Sequence, residues 1–141
     1  DPTRGDRIFL IGARFCAPPK GPCPCLNRHY DNWFGRDGLT LVSHVHALVR
    51  TLQRKTRRAP HFLPIEASDV PMDEAALLSA LEAARMGDRL ARDAHLTWLS
   101  AGPSPPVAGR IVDNIALTFD HHGHMFSASL TPSDQVGEPV H

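Results

Sequence analysis

Residues 16–38 carry Pro18, Pro19, Gly21, Pro22 and Pro24, and nothing else in the chain restricts its folding as much. Proline fixes φ and has no backbone donor, so neither a helix nor a central strand runs through such a stretch. The segment reads as a long loop in which only 26–34 has the pattern of a helical turn. A loop of that length inside a small domain needs something to order it.

The same loop holds all 3 cysteines. Cys16, Cys23, Cys25 and His29 form a C-x6-C-x-C-x3-H cluster. Three thiolates and an imidazole are a standard tetrahedral set for structural zinc. Zinc would also order the loop, because its binding free energy is folding free energy. The C-x-C pair departs from the usual C-x2–4-C spacing. The competing reading is three ordinary cysteines, with Cys16 free to pair with Cys23 or Cys25. An odd, clustered set is not the pattern of a secreted disulfide scaffold, so the expectation is a reducing, cytoplasmic compartment.

At 141 residues, the chain has room for one core and reads as a single domain, with 131–141 as a loose tail. Lys+Arg and Asp+Glu are 15 each, which argues against nucleic-acid binding driven by bulk charge. No apolar run approaches the roughly 18–20 residues of a membrane span. The start lacks Met and a charged-then-apolar leader, as a processed or trimmed terminus would.

Hydrophobic periodicity supplies the elements. Residues 7–15 form a short apolar run expected as a buried strand. Leu41, Val45, Leu48 and Leu52 make a helical stripe over 40–58, ending in the basic run 50–58, read as a solvated helix end. Two further helices are expected over 73–86 and 88–99, the second capped by Asp88, then a linker over 102–109. Trp98 reads as core and His95 as a boundary residue. Ile115, Leu117 and Phe119 alternate with polar or small residues, as do Phe126, Ala128 and Leu130, around a DHHG turn; that pattern predicts a hairpin. The expected fold is α+β: a small, mainly antiparallel sheet built from the N-terminal strand and the C-terminal hairpin. About three helices cover one of its faces, and the Pro/Cys-rich loop lies across an edge.

Three further constellations bear on chemistry. His44 and His46 would share a face on a strand, as in the His-hydrophobic-His pair of rolling-circle nucleases, but on a helix they lie about 200° apart. Asp120-His121-His122 resembles the signature triplet of DHH phosphoesterases over those three residues. No Asp-rich partner motif follows the first strand, and turn chemistry accounts for the sequence. Finally, the order of a cysteine before a helical stretch, a helical middle and a histidine on a late strand resembles small papain-like hydrolases. On that resemblance Cys25 would be the nucleophile, His122 or His124 the base, and Asp120 or Asp134 its orienting group.

Two functions are therefore expected. One is a zinc-stabilised binding or regulatory domain presenting its Cys/His-ordered loop to a protein partner. The other is a small cysteine amidase or peptidase acting through Cys25.

Overall fold

Thr3 and Asp6 cap one another, and that reciprocal pair decides the first element. The Asp6 N–H donates to Thr3 Oγ1 at 3.0 Å, and the Thr3 N–H donates to Asp6 Oδ2 at 2.9 Å. Both donors belong to the unsatisfied set at a helix start. The run 7–15, expected as a strand, is part of helix α1 (Arg4–Cys16). A short apolar run suits a buried strand or a buried helix equally by pattern. Here Ile8, Phe9, Leu10, Ala13 and Cys16 are all buried on the helix.

The computed structural model describes residues 3–127. After α1 come α2 (Pro24–Phe34), a 3-10 turn (Gly35–Asp37), α3 (Gly38–Arg54), α4 (Met72–Arg85), α5 (Arg89–Ser100) and α6 (Pro106–His121). No strand occurs among the described residues. The α+β expectation is overturned, and the fold is all-α. The three middle helices lie close to where periodicity put them, with Leu41, Val45, Leu48 and Leu52 buried along α3. Asp88 caps α5 as expected, its Oδ1 accepting the Ala91 N–H at 3.0 Å. His95 is buried rather than at a boundary, Trp98 only partly so, and Leu90 is exposed.

The C-terminal hairpin is replaced by a helix and a strap. α6 buries Val112, Ile115, Ala116 and Phe119, a spacing of three and four, and leaves Leu117 at 69% exposure. The period is helical, and Pro106 at its first position is pre-set for a helix start. DHHG ends that helix: Gly123 takes φ +80°, its N–H donates to Asp120 O, and the His124 N–H donates to Phe119 O, both at 2.9 Å. This is a Schellman stop, not a hairpin turn. Beyond it the backbone bonds to side chains instead of to a neighbouring strand. The Phe126 N–H donates to Glu82 Oε1 at 3.0 Å, the Ser127 N–H donates to Asp6 Oδ1 at 2.8 Å, and Ser127 Oγ bonds Asp6 Oδ2. Residues 128–130 of the expected second strand, and the tail 131–141, lie outside the described residues.

α1 and α2 pack on α3, while α6 bridges α3 to the α4–α5 pair. Phe119 seats α6 on α1 and α2, its ring 5.0 Å from Phe34, 4.9 Å from Phe126 and 6.5 Å from Phe9. α2 is seated on α1 through Tyr30, which is fully buried and whose hydroxyl donates to Ile8 O at 2.7 Å. Gly12 permits this approach, since a Cβ there would collide with the Tyr30 hydroxyl. Among the described residues no helix is long and apolar enough to cross a membrane.

Candidate dithiol site at the start of α2

Proline-flanked carbonyls lack regular backbone partners, and each must find a donor elsewhere. α3 supplies them. Arg50 Nη2 donates to Pro18 O at 2.7 Å and to Pro19 O at 3.3 Å, and Gln53 Nε2 donates to Ala17 O at 2.9 Å. Arg50 Nε in turn donates to His46 Nε2 at 3.3 Å. Burial and the nearby Arg50 and Arg54 charges hold the His46 imidazole below its ordinary pKa, which suits its role as acceptor. The loop is thus ordered by side chains of α3. Arg50, read from sequence as part of a solvated basic face, is its principal clamp.

The loop delivers Cys23 to the N-cap of α2. Pro24 follows at the first helical position, and the Cys25 N–H donates to Cys23 Sγ at 3.3 Å. The Cys25 thiol donates to the same sulfur at 2.8 Å. Cys23 is exposed and Cys25 half-buried. The two hydrogen bonds from Cys25, together with the Arg28 charge, pull the Cys23 thiol below its ordinary pKa. Donating to Cys23 raises that of Cys25. Cys25 is thus the donor of the pair and Cys23 the acceptor, the more readily ionised of the two.

The other two members of the expected zinc cluster are elsewhere. Cys16 is wholly buried at the end of α1, and burial pushes its thiol up to about 11 against the pull of Arg50. His29 is exposed and stacks on Trp33, centroids 5.6 Å apart. Among the described residues no three His, Cys, Asp or Glu side chains converge as a metal site. The four residues of the expected zinc cluster therefore do not assemble as one site: Cys23 and Cys25 meet, Cys16 lies in the core, and His29, one turn along α2 from Cys25, stacks on Trp33.

Nor does the structure bring Cys25 to His122 or His124, its expected bases. His122 and His124 lie against Phe34 at the far end of α2, ring centroids 5.1 and 5.8 Å from it. By the rise of a helix that is about 13 Å from Cys25. His122 Nε2 instead meets Asp37 Oδ2 at 2.9 Å, and Asp120 pairs with Arg85 at 3.0 Å. Asp134 lies outside the described residues. His44 and His46 stand on α3, where helical geometry sends them to different faces.

Beside the dithiol runs a groove of about 630 Å³, whose apolar walls are Phe15, Pro18, Pro22, Pro64 and Ile65, with Cys23 in its lining. No protein-family model, curated protein or solved structure matches this chain. The site therefore rests on its own geometry. Pro64 and Ile65 were not legible as site residues, because the segment 55–71 has no regular structure to place them. Their position comes from the long-range contacts of Arg14.

Proposed function

We propose that the chain is a non-catalytic binding or regulatory domain whose partner-facing element is the 17–25 loop, and that the groove beside it takes an extended apolar segment of a protein partner. The observation that carries this reading is the groove itself. Its walls are apolar, and its prolines hold the backbone in place before anything binds, so little ordering entropy is lost on association. Lys20 and Glu66 are its charged lining besides Arg14, whose guanidinium is occupied by Glu74. Such a surface suits a neutral, extended peptide gripped through alternate side chains. The hydrolase reading has no support of this kind, since its nucleophile and base lie at opposite ends of α2.

The test is selection of random twelve-residue peptides displayed on phage against the full chain, followed by titration of the enriched sequences. Peptides with alternating apolar residues are expected. Ile65→Asp, at a surface-accessible position, should weaken them at least tenfold without lowering the melting temperature. Failure of any sequence to enrich, or equal binding to the variant, overturns the reading.

A further inference from the structure

We propose that Cys23 and Cys25 are a reversible disulfide site, formed by exchange with a low-molecular-weight disulfide such as glutathione disulfide. The inference goes beyond the groove reading and does not depend on it, since a peptide could bind either redox form.

Proximity is the first support. The two sulfurs are 2.8 Å apart across a single proline, and a disulfide bond is about 2.05 Å long. Less than an ångström separates contact from bond, a distance that side-chain rotation covers. Pro24 fixes the backbone between the two residues and the helix start holds Cys25, so little chain entropy is lost on closure.

The two thiols are also unequal in the way stepwise exchange requires. Cys23 is exposed and accepts both hydrogen bonds, so it is the attacking sulfur; Cys25 sits half-buried behind it as the resolving one. The Cys23 thiolate attacks one sulfur of the small disulfide. The S–S bond breaks, one small thiolate leaves and takes up a proton, and a mixed disulfide remains on Cys23. Cys25 then gives its proton to solvent and attacks the Cys23 sulfur, forming the Cys23–Cys25 bond and expelling the second small thiol. Two protein thiols are oxidised, and one small disulfide is reduced to two thiols.

The third cysteine stays out of the exchange. Cys16 is wholly buried and has no access to a small disulfide in the folded chain. Segregating one thiol in the core while two meet at the surface makes the pairing unambiguous. The consequences fall on the loop end, because Cys23 is both the cap of α2 and part of the groove lining.

The experiment equilibrates the reduced full chain with a series of glutathione ratios at neutral pH. It is then quenched in acid, alkylated after unfolding, and read by intact mass and peptide mapping. The expected product has lost two hydrogens, with Cys23 and Cys25 disappearing together and Cys16 still alkylated. Cys25→Ser should trap a glutathione adduct on Cys23, whereas Cys23→Ser should slow oxidation at least tenfold; serine is itself a good N-cap, so Cys23→Ser keeps the start of α2, and Cys25→Ser leaves the Cys23 cap position untouched. Four results each overturn the proposal: a persistent adduct on the native chain, Cys16 in the bridge, bridges between chains, or thiols that react only after a chelator is added. Peptide titration of both redox forms reads the groove separately, so either proposal can fail alone.

Discussion

Arg14 and Glu74 meet in the interior through two parallel hydrogen bonds, Nε to Oε2 at 2.9 Å and Nη2 to Oε1 at 2.6 Å, with side chains 6% and 0% exposed. The rest of their bonding capacity goes to the segment between α3 and α4. Arg14 also donates to Ala67 O at 2.9 Å and Asp69 O at 2.7 Å, and Glu74 accepts the Leu63 N–H at 3.0 Å. One ion pair therefore fixes the far wall of the groove, Pro64 and Ile65, against α1. Asp73 adds a second tether, accepting from the His61 N–H at 2.7 Å and from Arg58.

Glu74→Leu should cost about 3–5 kcal/mol, because it leaves the Arg14 guanidinium buried without its counter-charge. Arg14→Met combined with Glu74→Leu should recover only part of that loss, since it removes the stranded charge but leaves Ala67 O, Asp69 O and the Leu63 N–H without their side-chain partners. Urea unfolding of the two variants at neutral pH checks both numbers. A single variant that unfolds at the wild-type midpoint would show the pair to be dispensable.

The elements legible in the sequence were those whose apolar spacing was long and one-sided. α3, with Leu41 through Leu52 on one face, is the clearest case. α1 was misread because its apolar residues are contiguous, which removes the period; the Thr3–Asp6 cap was its available signal. α6 was misread because Ile115, Leu117 and Phe119 alternate over five positions by coincidence, while Val112 and Ala116 carried the true spacing. At the site, the C-x-C pair was visible, and its separation from Cys16 was not. That separation depends on Cys16 turning into the core at the end of a helix, a fact only the tertiary packing sets.

Gly12→Ala should destabilise the chain by about 1–3 kcal/mol, the usual range for overpacking, because the new methyl group falls on the Tyr30 hydroxyl. Tyr30→Phe alone should cost about 1 kcal/mol through loss of the bond to Ile8 O. The two changes should not add. Removing the hydroxyl makes room for the methyl, so the double variant is expected to be more stable than the sum of the single effects. A double-mutant cycle by thermal or urea unfolding measures the coupling, and strict additivity would place the Gly12 constraint somewhere other than Tyr30.

Stability should fall as pH rises from about 9 towards 11. The Cys16 thiol has an ordinary value of 9.0 and is pushed up to about 11 when buried. Between those values the unfolded chain has lost the proton that the folded chain keeps, so alkaline pH favours unfolding. The contribution is intact below pH 9, and its full loss amounts to about 2–3 kcal/mol. Tyr30, raised by burial from an ordinary 10.0, acts in the same direction from about pH 10 upward and so overlaps the upper part of this window. Cys16→Val should flatten the pH profile of the unfolding free energy in this window and leave the tyrosine part in place. A profile unchanged by that substitution would remove Cys16 as its source.

Arg50→Ala tests whether the clamp, rather than a bound ligand, orders the dithiol loop. Arg50 and Gln53 hold three successive carbonyls, those of Ala17, Pro18 and Pro19. The Gly21 N–H, which donates to Pro18 O at 2.9 Å, closes a turn that depends on those anchors. With the guanidinium gone, hydrogen exchange at Gly21 should speed up at least tenfold, corresponding to a local opening made easier by about 1.4 kcal/mol or more. Exchange in the α4–α5 pair, which α6 rather than this loop joins to α3, should hardly move. Arg50→Lys should fall between, because an ammonium can still donate to the carbonyls but lacks the Nε bond to His46 and the Nη1 bond to Gln53 that hold the guanidinium in place. Unchanged exchange in Arg50→Ala would mean that the loop is held by something other than α3. The sulfur pair at its end would then owe its geometry to that other source.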